Sequence, residues 1–285
     1  MIEADLRESA AAEPRTGNAP MGRFCLLCHQ RSGSNALGAI LNADPRVFLY
    51  GQLFNDFFPY WRRRRGTIPK PYRPHPEVMK HFGTKPALSK RIERLASSLV
   101  PHEDDLDAFM ARTWDRFEEK SPDTPTRGFK LHDFQLTDDE LTSLAKEHVE
   151  GTVILWRKNL FKAAVSWAYA MKTDVWSSPR KAKLERPTFD LDIGQVEWFI
   201  EKTRSEVEGW RRVLTASGAP FIELNYEENV ATRELETLYD FLGIAWQGKP
   251  EFKTEKLAAN SYAHVSNARA IEKALASPEN GSLFE

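Results

Sequence analysis

Phe24-Cys25-Leu26-Leu27-Cys28-His29-Gln30-Arg31-Ser32-Gly33-Ser34-Asn35-Ala36-Leu37 is the stretch on which the reading of this chain turns. Phe24 to Cys28 is an apolar run long enough for a buried strand, and Ala36-Leu37-Gly38-Ala39-Ile40-Leu41 places apolar residues at helical spacing. The polar turn between them holds one Arg, one Gly and two Ser. A strand that turns sharply into a helix leaves backbone N–H groups unpaired at the positive end of the helix dipole, a natural seat for a phosphate or sulfate group. Ser32, Ser34 and Asn35 add side-chain donors, and Arg31 adds a permanent charge. The nucleoside-triphosphate loop G-x-x-x-x-G-K-S/T is absent, because its second Gly and its Lys are missing.

Working outward, the pattern alternates strands with helices. Val47-Phe48-Leu49-Tyr50 reads as a second strand, parallel to the first because a helix of crossover length joins them. It exits into Gly51-Gln52-Leu53-Phe54-Asn55, at the sheet edge where the anion turn lies. Arg127 to Leu131 reads as a third strand ending in His132-Asp133. Thr137-Asp138-Asp139-Glu140 is a capping box opening a helix to about His148. Thr152 to Trp156 is a fourth strand and Phe221 to Leu224 a fifth, with a long amphipathic helix from about Ile193 to Thr215 between them. Its buried stripe is Val196, Phe199, Ile200, Val207 and Trp210. A further helix is expected from about Thr232. The fold class expected is α/β: three layers, with a mainly parallel central sheet flanked by helices.

Residues 56–125 form an insertion between the second and third strands, with helical patterns near 86–99 and 103–119, and read as an acceptor-binding lid. Arg62-Arg63-Arg64-Arg65 within it is either a solvated face or a seat for an anionic acceptor. Residues 1–20 read as a disordered leader, without the apolar core of a signal peptide, before a single domain over 21–285.

Composition narrows the function classes. The 285 residues are 41% hydrophobic and 28% charged with net charge −1, so nothing in the balance calls for a nucleic acid or an anionic membrane. No apolar run approaches the roughly 18 residues of a transmembrane helix, and a cytoplasmic location is the expectation. The two cysteines, Cys25 and Cys28, have C-x-x-C spacing but lie within the first strand, where residues three apart face opposite ways. They read as buried structural thiols. The histidines are scattered without an H-E-x-x-H pattern, so no metal is expected. Oligomeric state leaves no signal.

A second motif gives the turn its meaning. Arg157 stands at the carboxyl end of the fourth strand and Ser166 about two turns into the helix that follows, a rise of roughly 10 Å. The two side chains can meet one phosphate from two sides. Gln30-Arg31-Ser32-Gly33-Ser34 resembles the 5′-phosphosulfate loop of sulfotransferases that use 3′-phosphoadenosine 5′-phosphosulfate (PAPS). Arg157 followed by Ser166 resembles their 3′-phosphate motif. Val165-Ser166-Trp167 and Thr173-Asp174-Val175-Trp176 are similar to bacterial sulfotransferases acting on sugars, the trehalose-sulfating group among them. Tyr226-Glu227 and Phe241-Leu242-Gly243 resemble that family's scaffold, and Lys256 with Ser261 to Asn267 its C-terminal cofactor cover.

The resemblance implies the nucleotide-hydrolase-like sulfotransferase fold and transfer of a sulfuryl group from PAPS to a hydroxyl of a carbohydrate or other small hydroxylated acceptor. Arg31, Ser32, Gly33, Ser34, Asn35, Arg157 and Ser166 are then the nucleotide-binding residues. Arg31 would also stabilise charge growing on the leaving phosphate, as would His29 when protonated, unless it is a packed strand residue. In the sugar sulfotransferases a Glu occupies the loop after the second strand; Gln52 stands there in this chain, and an amide is no base. His132, Asp133 and Asp56 are the other candidates, His132 first because imidazole titrates near neutrality. Gln52 also leaves open a PAPS-binding protein with little turnover. A nucleotide kinase is disfavoured by the missing loop Lys.

Overall fold

Phe24 to Cys28 lie at the middle of a sheet because an apolar run with no polar alternation needs cover on both faces. A computed structural model gives the structure of residues 20–54, 105–132, 135–173, 188–248 and 265–275. Within them the elements run β1 (Arg23–Cys28), α1 (Ser34–Leu41), β2 (Val47–Gln52), α2 (Leu106–Lys120), β3 (Thr126–Leu131) and α3 (Asp138–Ser143). There follow β4 (Gly151–Trp156), α4 (Leu160–Thr173), α5 (Ile193–Ser217), β5 (Phe221–Asn225), α6 (Glu236–Phe241) and α7 (Ala268–Leu275). The sheet order is β2-β3-β1-β4-β5 and every pairing is parallel. All five strands therefore end at one edge. The expected α/β fold with a parallel sheet between two helical layers is what the chain adopts.

Side-chain parity along β1 sorts the two layers. Cys25 and Leu27 join Phe109, Met110, Trp114 and Phe117 of α2, Leu141 of α3, and Val207, Trp210 and Leu214 of α5. Leu26 and Cys28 join Leu37, Ile40 and Leu41 of α1 with Leu238 and Tyr239 of α6 on the other face. Both thiols are free and buried on opposite sides, as the spacing requires. Strand glycine Gly128 sits where a Cβ would come within 2.4 Å of the Phe24 ring, so the close approach of β1 and β3 depends on it.

The helix α2 lies in the C-terminal part of the stretch expected to act as a lid, and its aromatic stripe places it in the core layer. Residues 56–104 of that stretch, including Asp56, Arg62 to Arg65 and the pattern near 86–99, lie outside the described residues, as do residues 1–19.

The capping box is present, Thr137 Oγ1 accepting from Glu140 N–H and the Glu140 carboxylate accepting from Thr137 N–H. The helix closes as a π turn over Leu144–His148. The helix expected from about Thr232 starts later, at Glu236. Asn225 at the end of β5 accepts from the N–H groups of Glu227 and Glu228. That cap winds Tyr226–Val230 into a tight π turn at the carboxyl edge instead.

Helix α5 has 25 residues, about 37 Å at 1.5 Å per residue. Its C-terminal half packs in the layer with α2, while Val196, Phe199 and Ile200 form a third cluster with α4 and α7. Asn267, from the stretch expected to cover the cofactor, pins the lead-in to α5 by exchanging hydrogen bonds with the backbone of Leu191. Lys256 and residues 261–264 lie outside the described residues. No helix among the described residues is long and apolar enough to cross a membrane.

Candidate functional site

Two left-handed residues shape the turn after β1: Arg31 (φ 66°) and Gly33 (φ 93°). Left-handed backbone between right-handed neighbours turns successive N–H groups to one side, the geometry of an anion-binding concavity. At Gly33 a Cβ would fall 2.1 Å from Cδ2 of Tyr226, so both the φ and the packing exclude a side chain. Gly33 is also the N-terminal cap position of α1, and no side chain caps the helix there. The Ala36 N–H turns back to the Gly33 carbonyl and the Ser32 N–H to the His29 carbonyl, while the N–H groups of Ser34 and Asn35 at the start of the helix have no side-chain cap. Ser32 is fully buried in the same turn, and its Oγ has no hydrogen-bond partner. A buried hydroxyl without a partner costs about 1–3 kcal/mol, and a bound anion would recover that.

Two of the other loop side chains already have partners. Ser34 shares a hydrogen bond with the Cys28 thiol. Asn35 Oδ1 accepts from Lys130 Nζ at 2.7 Å, which leaves its exposed amide nitrogen for a ligand.

Arg31, Arg157 and Ser166 come together from three separate segments. Arg31 Nε donates to Ser166 Oγ at 2.7 Å. Arg157 Nη1 donates to the Arg31 carbonyl at 3.3 Å, and its guanidinium lies 4.8 Å from the centre of the Tyr226 ring. Glu227 holds the far side, one carboxylate oxygen accepting from Arg157 Nε and the other from Lys158 N–H, each at 2.9 Å. Burial, and then the charge of Arg157 beside it, pulls the Arg31 pKa below its ordinary value. Two guanidinium groups pressed together in partial burial favour an anion between or beside them.

At the other end of the loop, on the α1 face of the sheet, stand Lys130 and His132. Lys130 pairs in register with Leu26, and residues two apart on a strand share a face. A register shift in β2 between Leu49 and Gln52 sets Gln52 opposite Lys130. The Gln52 amide nitrogen hydrogen-bonds His132 Nε2. An amide nitrogen only donates, so Nε2 accepts and Nδ1 carries the proton. Nδ1 accordingly donates to the Cys28 carbonyl at 2.6 Å, and one tautomer satisfies both contacts. Gln135 Oε1 accepts from His132 N–H at 2.7 Å and fixes the strand end.

The buried ammonium of Lys130 is pushed below its ordinary pKa by desolvation, a shift the nearby Cys28 sulfur opposes. Burial raises the Cys28 thiol, but His132, Lys130 and Ser34 outweigh it and leave the thiol below its ordinary value. His29 is almost fully buried, with Nδ1 donating to the Gln30 carbonyl at 2.8 Å and its ring edge against Phe199. That is a packed residue rather than one facing a ligand. Asp133 lies outside the described residues.

The structure thus places Arg31 to Asn35, Gln52, His132, Arg157 and Ser166 at one sheet edge, in two groups joined by the loop. Arg31, Arg157 and Ser166 form one group; Gln52 and His132 form the other. Three residues were not expected in the site: Lys130, Tyr226 and Glu227. Nothing in the spacing pointed to them.

No protein-family model matches the chain, and no curated protein matches it. Among solved structures, the chain is similar to a sulfotransferase from Alicyclobacillus acidocaldarius at 15% identity and TM-score 0.44, covering 91% of this chain and 93% of that one. It is similar to the sulfotransferase domain of the Synechococcus PCC 7002 olefin synthase at 12% identity and TM-score 0.42, covering 94% of this chain and 90% of that domain.

Proposed function

We propose that this chain is a PAPS-dependent sulfotransferase acting on a hydroxyl of a carbohydrate or other small hydroxylated acceptor. The observation that carries the reading is the convergence of Arg31, Arg157 and Ser166 beside an uncapped helix N-terminus whose turn holds a buried, unpartnered Ser32 hydroxyl. A ligand with two separate anionic groups suits that arrangement. Arg157, Arg31 and Ser166 take the 3′-phosphate, the Ser166 hydroxyl accepting from Arg31 while its own proton is free to donate. The N–H groups of residues 33–35, with Ser32 Oγ, take the 5′-phosphosulfate.

The chemistry asked of the protein resembles phosphoryl transfer, with attacking and leaving oxygens in line and little covalent work to do. His132 Nε2 has the lone pair to take the acceptor proton as the new O–S bond forms and the S–O bond to the leaving phosphate breaks. The acceptor hydroxyl reaches that lone pair by replacing the Gln52 amide. Arg31 turns toward Ser166, so the role of following charge onto the leaving phosphate passes in this reading to Lys130, which stands opposite Gln52 and donates to Asn35 of the loop. Its ammonium, already short of solvation, gains most from a neighbouring negative charge.

A second reading, a PAPS-binding protein with little turnover, draws on the contact by which Gln52 occupies the His132 lone pair. Calorimetry with adenosine 3′,5′-bisphosphate and with ATP tests the nucleotide site shared by both. Bisphosphate should bind and ATP should bind far more weakly; the reverse order abandons the reading. A transfer assay with radiolabelled sulfur from PAPS to pooled sugar acceptors then separates an enzyme from a binding protein.

A further inference from the structure

We infer that Glu227 is a positioning residue that sets the preference for a 3′-phosphorylated nucleotide by holding Arg157, an inference that rests on the nucleotide-binding reading above. The Arg157 side chain is largely buried, and three of its aspects are taken. Its Nε edge goes to Glu227, its Nη1 to the Arg31 carbonyl, and its flat face lies against Tyr226. Among the described residues Nη2 makes no such bond, so the clamp leaves one defined corner of the guanidinium to meet an anion.

Glu227 does this with one carboxylate bridging a side chain and a main chain. One oxygen holds Arg157 Nε while the other holds Lys158 N–H, which fixes the rotamer against the backbone that carries it. The carboxylate is in turn fixed from below. Its own N–H and that of Glu228 donate to Asn225 Oδ1 in the π turn after β5. An acidic group next to an anion seat is an electrostatic cost to the ligand, because it competes for the same guanidinium. Its placement on the edge away from Nη2 makes sense if orientation is worth more than the lost attraction. A long arginine side chain loses rotamer entropy when it is fixed, and holding it in place beforehand spares the ligand that loss.

The carboxylate acts on the 3′-phosphate alone, so the quantity to measure is the ratio of affinities for adenosine 3′,5′-bisphosphate and adenosine 5′-monophosphate. Glu227→Gln keeps the shape and one acceptor oxygen but cannot bridge both donors as a charge. It should cut that ratio by about tenfold while leaving monophosphate affinity and the melting temperature nearly unchanged. Glu227→Ala should cut it at least as far. In an Arg157→Ala background the same Glu227→Gln change should have no further effect on the ratio, since the route through Arg157 is gone. An unchanged ratio in Glu227→Gln, equal losses for both nucleotides, or a full additional loss in the Arg157→Ala background would each overturn the inference. If the unmodified chain itself shows no preference for the bisphosphate, the nucleotide reading fails first and takes this one with it.

Discussion

Gln52 stands where the resemblance to sugar sulfotransferases calls for a Glu, and its amide lies against Nε2 of His132. The contact changes what a substitution there should do. A carboxylate in place of the amide would favour the protonated ring, so Gln52→Glu should move the acid limb of the kcat/KM profile to higher pH. His132→Ala should lower kcat by about 10²–10⁴-fold, the usual contribution of a placed general base. Retained activity in His132→Ala, measured with the same acceptor, would remove the base assignment. Lys130→Met keeps the buried volume and deletes the charge; it should depress kcat more than bisphosphate affinity, as expected of a contact strengthened in the transition state. A rise in KM alone would assign Lys130 to binding.

At this scale the sequence was readable where a motif tied a residue to a strand exit. Arg157 and Ser166 were singled out by their place at and after a strand exit; the contact between Arg31 and Ser166 joins residues 135 apart and no pattern foretold it. Lys130 was hidden because a lone lysine in Arg127-Gly128-Phe129-Lys130-Leu131 does not reveal which face it takes. Only the register with β1 and β2 decides that.

Among the elements, the loop between α1 and β2 carries its own lock. Arg46 donates through Nε and Nη2 to the two oxygens of Asp44 and reaches the Ala245 carbonyl with Nη1. The link therefore ties the sheet edge to the segment after α6. The Asp44 carboxyl is held below the usual carboxylate range, first by its hydrogen bond from Arg46. A depressed folded-state pKa contributes stability that is present above the unfolded value, near 3.9, and is lost as pH falls through the folded value. Denaturant unfolding from pH 6 down to pH 2 should show Asp44→Asn less stable than the parent at the upper end. The two should converge as Asp44 titrates. A constant gap across that range would assign the loss to shape instead.

The five strands and the helices up to α6 were legible because period and turn chemistry agreed from one segment to the next, whereas α7 (Ala268–Leu275) was not read from the sequence. What escaped was local. The π turn over Tyr226–Val230 comes from the Asn225 cap rather than from apolar spacing. Helix α2 was grouped with an insertion although its aromatic stripe, Phe109, Trp114 and Phe117, belongs to the main core.

Over the whole molecule, the site draws on the exits of all five strands: Gln52 after β2, His132 after β3, the turn after β1, Arg157 after β4, and Tyr226 with Glu227 after β5. A ligand that engages several of them holds the sheet together. Bisphosphate at a hundred times its Kd should therefore add about 2.7 kcal/mol, a rise in Tm of roughly 4–5 °C for a chain of this size. Thermal unfolding in matched buffers checks this. The shift should shrink in Arg157→Ala and be smaller with adenosine 5′-monophosphate; equal shifts for the two nucleotides would place the 3′-phosphate outside the site.

The hydrogen bond from Arg157 to the Arg31 carbonyl spans 126 residues of sequence, and that separation bears on how the protein is made. β1 leaves a ribosome long before β4 and β5 exist, and parallel pairing across such distances is slow because loop closure precedes any gain. The turn after β1 must wait, with its charges unmatched, for partners that the chain synthesises more than a hundred residues later. Nucleotide affinity is then a property that appears only at the end of folding. In a refolding experiment, recovery of bisphosphate binding should lag the return of helical signal and follow the slowest step of sheet assembly.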